Sequence, residues 1–113
     1  MRDDRQRLQD ILEAIELIEK YAAKGRTAFE QDELIQTWFL RHLQIIGEAS
    51  RALSDNIRDS HTEIPWAKII GMRHILVHNY FEIDLPIIWN AVELELPELK
   101  GKVTAILQEM GGP

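Results

Sequence analysis

Apolar residues in this chain recur every three or four positions and almost nowhere alternate. Leu8, Ile11, Leu12, Ile15 and Ile18 fall on one side of a period of 3.6, the signature of a helix with one buried face. The spacing predicts a first helix over about residues 3–24. Lys24 sits in its last turn and Gly25 serves as the left-handed residue beyond its end. A second stripe, Ile35, Trp38, Phe39, Ile45, Ile46, Ala49 and Leu53, predicts a helix ending near Ser54. It starts either at Thr27-Ala28-Phe29-Glu30, which has capping-box spacing, or a few residues later. Residues 55–65 are polar and broken, with room for one short helical turn. Pro65 suits the first turn of a third helix, running from about Trp66 to Val77 or His78. Asp84 can cap a fourth, with Pro86 in its first turn. Leu85, Ile88, Val92, Leu99, Val103 and Ile106 continue one stripe, and Pro97 within it predicts a kink or two consecutive helices. Gly111-Gly112-Pro113 should fray. The expectation is an all-α, antiparallel bundle of four to five helices in a single domain over 1–113.

Composition removes several classes of function. The chain has 113 residues and no cysteine, which excludes a disulfide framework, a thiolate metal site and a cysteine nucleophile. The charged start Met1-Arg2-Asp3-Asp4-Arg5 leads into an amphipathic segment, so no signal peptide is expected. No run approaches the ~18 apolar residues of a spanning helix, and the expected location is the cytoplasm. Net charge is −6, divided as −3 over residues 1–40, +1 over 41–80 and −4 over 81–113. All four histidines, His42, His61, His74 and His78, lie in the one third that is not acidic. Affinity for a phosphate backbone comes mainly from Lys and Arg. Any contact with RNA should therefore be local, confined to a small patch that oligomerisation enlarges.

The densest chemistry lies in Arg73-His74-Ile75-Leu76-Val77-His78-Asn79-Tyr80. Arg binds phosphate oxygens bidentately, His moves protons near neutral pH, and a phenol donates hydrogen bonds or accepts a modification. These are the groups that phosphate-ester chemistry uses without a metal. On an ideal helix of ~100° per residue, Arg73 and Tyr80 share a face, as do His74 and His78. Arg73 and His78 point ~140° apart. Convergence then needs the helix to loosen near His78, the Arg side chain to reach around, or a second motif from a two-fold partner. The dimer, with both motifs lining one cleft, is the favoured arrangement.

Blander roles stand beside each of these. A helical Arg is usually a solvated charge and a lone His usually a satisfied structural one. Asn79 can end a helix in the left-handed conformation, and Tyr80 and Phe81 can be packing residues. His74-x3-His78 has zinc-pair spacing, but Ile75 stands where the metalloprotease pattern has Glu, and a third ligand would have to come from His42 or Glu48. Trp38, Trp66 and Trp89 can be read as base-stacking aromatics, yet their stripe positions favour core or interface. Gly47 suits close helix packing. No phosphate-binding glycine loop, nucleophile elbow or basic tract appears.

Three blocks together, Ile46-Gly47-Glu48-Ala49, Ile64-Pro65-Trp66 and Gly71-Met72 followed by Arg73 to Tyr80, closely resemble the HepT-type toxins of the HEPN superfamily in order and spacing. The resemblance implies a dimerising helical bundle and a metal-independent endoribonuclease, with no cofactor, whose site joins two Arg-x4-His motifs. It makes Arg73 and His78 the catalytic pair. His74 stands where the family usually has a polar residue, often Asn, and can contact phosphate or join a proton relay; Asn79 is a further supporting candidate. Tyr80 matches the tyrosine that a small nucleotidyltransferase antitoxin modifies with AMP, so the implied partner is that enzyme, in a type VII-like toxin–antitoxin pair. The implied substrate is RNA, a tRNA or mRNA among the candidates. Two other readings stay open: a non-catalytic helical partner or nucleotide-binding subunit of a nucleotidyltransferase, and a structural dimer whose His pair binds zinc.

Overall fold

The computed structural model describes residues 3–71 and 84–111, and every regular element among them is a helix. In chain order these are α1 (Asp4–Ala22), α2 (Arg26–Gln31), α3 (Glu33–Ala52), α4 (Asp55–Ser60), α5 (described over 66–71), α6 (Leu85–Asn90) and α7 (Leu96–Glu109), with a π-helical turn at Ala91–Glu95 joining the last two. The all-helical fold expected from the periodicity is the one observed.

Local chemistry sets the boundaries. Asp3 caps α1 through a reciprocal pair: the Gln6 N–H donates to Asp3 Oδ1 at 2.9 Å, and the Asp3 N–H donates to Gln6 Oε1 at 3.1 Å. α1 ends at Ala22, earlier than the pattern suggested, and Gly25 is the N-cap of α2 rather than the residue just past the end of α1. Its φ of +94° still makes it the left-handed corner of the turn. The expected capping box at Thr27 is not formed; Thr27 lies inside α2, whose N-cap makes no side-chain bond. The break comes instead at Asp32, whose extended backbone stops α2 and whose carboxylate accepts the Leu34 N–H at 2.9 Å to start α3. Gln36 then reaches back from α3 and donates to the terminal carbonyls of α2 at Phe29 and Glu30, which a helix end leaves without partners.

Pro97 is absorbed rather than tolerated as a kink. A proline inside a helix offers no N–H and its ring presses on the carbonyl four residues earlier, here Glu93. The chain widens by one residue at that point: the Leu96 N–H donates to Ala91 O, five residues back. The result is the consecutive pair α6–α7, one of the two arrangements expected from the sequence.

The stripes converge on one core. Leu8, Ile11, Ile15 and Ile18 of α1, Phe39 and Ile46 of α3 and Val103 of α7 are fully enclosed. Phe39 stacks on Phe29 at 5.1 Å, and both lie against Trp89, so α2, α3 and α6 meet at an aromatic cluster. All three tryptophans satisfy their indole N–H within the fold: Trp38 on Leu17 O, Trp66 on His61 O, and Trp89 on the Glu93 carboxylate. That is core and wedge behaviour. The core also encloses the Ser50 hydroxyl, which has no hydrogen-bond partner among the described residues.

Two opposite effects follow. Phe39→Ala should lose about 3–5 kcal/mol of unfolding free energy, because it empties the centre of the aromatic cluster. Ser50→Ala should gain about 1 kcal/mol by removing an unsatisfied buried hydroxyl. Urea unfolding of the two variants checks both signs.

Candidate functional site

Arg73, His74, His78, Asn79 and Tyr80 all fall between residues 72 and 83 and lie outside the described residues. The described residues form the frame on either side. α5 delivers the chain to this stretch with Trp66 and Ile69 buried. Its entry is fixed by the Trp66 indole on His61 O at 2.9 Å and by the Pro65 carbonyl accepting the Ile69 N–H. On the far side Asp84 restarts the helix, accepting the Ile87 N–H at 3.2 Å, with Pro86 in the first turn.

Contacts along 61–68 give the direction of the incoming segment. His61 Nε2 lies 3.7 Å from Glu109, the Lys102 ammonium donates to Glu63 O at 3.1 Å, and Lys68 pairs with Glu95. Rising numbers on one side meet falling numbers on the other, so residues 61–68 run antiparallel to α7 and toward α6. The segment holding the motif is thus entered and left near the α6 end of the bundle.

His42, considered above as a third zinc ligand, is buried, and its Nδ1 lies 2.7 Å from Trp38 O. A carbonyl only accepts, so Nδ1 carries a proton. The ring also packs 4.4 Å from the Trp38 indole. Glu48 is exposed and accepts from Gln44 on its own helix. Among the described residues no three His, Asp or Glu side chains cluster as a metal site would require. His61 lies between two carboxylates, 3.5 Å from Glu63 and 3.7 Å from Glu109, and ties the loop before α5 to the end of α7.

Two surface features were not singled out by reading the sequence. One is an open groove of about 630 Å³ beside the π turn, lined by Arg26, Lys68, Trp89, Asn90, Glu93 and Leu94 among others. Arg26 and Lys68 are both matched by carboxylates there, Glu30 and Glu95. The other is the C-terminal end of α1, where the ammonium groups of Lys20 and Lys24 lie 5.7 and 5.6 Å from the centre of the Tyr21 ring. A signal for it exists in the sequence: residues 20–29 hold Lys20, Lys24 and Arg26 without one acid, in a chain of net charge −6.

No helix among the described residues is long and apolar enough to cross a membrane. No solved structure matches the chain. Its sequence does match known proteins along nearly its whole length. A protein of Caldanaerobacter subterraneus subsp. tengcongensis carrying the provisional designation RNase TTE0752 is 39% identical over 110 residues, covering 96% of this chain and 98% of that one. A "Probable ribonuclease HepT" of Thermococcus cleftensis is 42% identical over 98 residues, covering 84% and 87%. A protein of Methanocaldococcus jannaschii provisionally designated RNase MJ1380 is 36% identical over 106 residues, covering 93% and 97%. The family model described as "Ribonuclease HepT-like" matches residues 11–106, a span that contains the whole of Arg73–Tyr80, and the chain belongs to this HepT-like ribonuclease family.

Proposed function

We propose that this protein is the toxin of a toxin–antitoxin pair and acts as a metal-independent endoribonuclease. The observation that carries the reading is the family match over residues 11–106, which encloses an intact Arg73-x4-His78-x-Tyr80 sequence. The unit is a single-domain chain working as a homodimer in the cytoplasm, with two copies of the motif forming one cleft. Ile87 and Leu94, both more than half exposed on α6 and the π turn, supply apolar surface that a second copy can cover.

The chemistry needs little beyond the motif. RNA carries its own nucleophile, the ribose 2′-OH. His78 of one protomer takes the 2′-OH proton as oxygen attacks phosphorus, and the His78 of the other gives a proton to the departing 5′-oxygen. Arg73 stabilises the charge that builds on the non-bridging phosphate oxygens. The bond from phosphorus to the 5′-oxygen breaks, leaving a 2′,3′-cyclic phosphate and a 5′-hydroxyl. His74 and Asn79 serve as phosphate contacts. The cognate small nucleotidyltransferase silences the enzyme by placing AMP on Tyr80, which sets an anionic phosphodiester beside Arg73 and fills the substrate space.

Unmodified wild-type protein should cleave total RNA in EDTA, and His78→Ala and Arg73→Ala should each lose at least ~10²-fold in rate while still binding the nucleotidyltransferase. Products with 5′-phosphates, or cleavage abolished by the chelator, would contradict the mechanism. Absence of cleavage by unmodified wild type would instead favour the non-catalytic partner reading.

Tyr80→Phe should keep cleavage and gain no mass on incubation with ATP and the nucleotidyltransferase. An adduct that persists on the Phe variant places the modification elsewhere.

A further inference from the structure

Among the described residues, five cations are tied to carboxylates. Arg26 pairs with Glu30, Arg58 with Asp55, Lys68 with Glu95, Lys100 with Glu19 and Lys102 with Glu98. Arg7, Arg41 and Arg51 form no ion pair among the described residues, but of the described cations only Lys20 and Lys24 lie over an aromatic ring. Both are exposed, neither forms an ion pair among the described residues, and both ammonium groups lie over the same ring, that of Tyr21. The distinction matters chemically. A carboxylate cancels a cation's charge, whereas an aromatic quadrupole orients the cation and leaves the charge available.

The ring is itself held in place. Tyr21 meets the edge of Trp38 at 5.4 Å with planes 72° apart. Trp38 is fixed in turn by its indole N–H on Leu17 O at 2.8 Å and by its packing on buried His42. Two long, flexible side chains are therefore gathered around a fixed support, which lowers the ordering cost a ligand must meet. No acid interrupts residues 20–29, and Arg26 follows within one turn of chain.

We propose that Lys20 and Lys24, gathered by Tyr21, form an auxiliary site for the backbone phosphates of a single-stranded RNA segment. The inference rests on the ribonuclease reading for its choice of RNA over other polyanions. It answers a need that reading creates. An acidic chain repels RNA over most of its surface, so a substrate longer than the few nucleotides at the scissile bond requires unneutralised cations elsewhere. Cations beside an aromatic ring, here the half-buried Tyr21, are the combination with which proteins hold single strands without sequence preference.

The test uses a fluorescein-labelled 2′-O-methyl oligouridylate, which lacks the nucleophilic hydroxyl and so reports binding without cleavage. Anisotropy is followed against salt for wild type, Lys20→Gln/Lys24→Gln, and a charge-matched control, Lys68→Gln/Lys102→Gln. Each single-strand phosphate contact contributes about 0.7 to the slope of log affinity against log salt, so losing two should flatten it by about 1.4. The control should keep the wild-type slope. Tyr21→Leu, which preserves an apolar contact with Trp38, should weaken binding with little change in slope, because the cations remain but are no longer gathered. Equal slopes for wild type and the double variant would overturn the proposal. So would equal flattening in the control, or displacement of the oligonucleotide by an acidic peptide of the same charge, which would give the patch to a protein partner. Failure of the ribonuclease reading is separately visible: wild type would bind this probe yet leave unmodified RNA uncut.

Discussion

Trp38 donates its indole N–H to the carbonyl of Leu17, and this bond fixes the register of α1 against α3. At the other end of the same pair, the backbone N–H and hydroxyl of Ser54 both donate to the Asp4 carboxylate, at 2.9 and 2.6 Å. Residue 17 opposite 38 and residue 4 opposite 54 can hold together only in an antiparallel pair. Between these ties lie Leu8, Ile11 and Ile15, with Ile18 just beyond, none of them exposed. Turning α1 by one residue would swing this stripe by ~100° and carry Glu16 or Glu19 toward the core, a burial of charge the fold has no cation inside to match. The remaining helices are placed by this pair. Lys100 anchors α7 to Glu19 of α1 at 2.8 Å, and the Phe29–Phe39–Trp89 cluster draws α2 and α6 against α3.

Two interruptions shape the bundle. Asp32 divides what would be one long rod into α2 and α3. The division lets α2 fold back and places Phe29 on the aromatic cluster. Pro97 acts on the other side. By forcing the π turn it shifts the faces of α6 and α7 relative to each other, so that Trp89 reaches the core and its indole meets Glu93, while Leu96 and Leu99 still face inward. A regular α-helix through Pro97 would give up a hydrogen bond and push its ring into the Glu93 carbonyl. The widened turn avoids that clash and leaves the two segments continuous.

How much of this was legible depended on which force decided each feature. Burial decided the stripes, and burial has a period: Ile11, Ile15, Ile46, Leu99 and Val103 are core residues as the spacing predicted. Caps were legible where the chain offered one choice, as at Asp84. Where it offered two, the choice stayed open between Thr27 and a start a few residues later, and the later start is the one observed for α3. Thr27 and Asp32 both look like helix starts, and Asp32 prevails because its side chain takes the Leu34 N–H while Gln36 covers the carbonyls of the preceding helix. That second contribution comes from a residue beyond the local pattern. Gly25 was placed correctly as a left-handed residue but assigned to the wrong helix, since a positive φ serves a short turn from either side. In the candidate site, the sequence offers the chemical inventory of Arg73 to Tyr80, while helix periodicity alone sets Arg73 and His78 on divergent faces. The Lys20–Tyr21–Lys24 cluster was missed for a different reason. Its meaning lies in two ammonium groups meeting over one ring, a contact between side chains that helix periodicity does not encode.

Charge distribution is where fold and function press on each other in this chain. Nineteen acids against thirteen cations would repel any polyanion if the charges were evenly mixed and free. They are not evenly used. Five described cations serve as local ties, on one helix as with Arg58 and Asp55 or between elements as with Lys68 and Glu95, and a cation so engaged attracts phosphate only weakly. Such exposed pairs contribute little to stability individually. Their larger effect is to restrict RNA to the places where cations remain unmatched. Repulsion falls off over about 10 Å at moderate ionic strength, comparable to the width of one helix, so an acidic face need not disturb a strand held on the opposite side. An acidic ribonuclease can then be selective by exclusion, since a strand is held only along a path where positive charge has been left uncancelled.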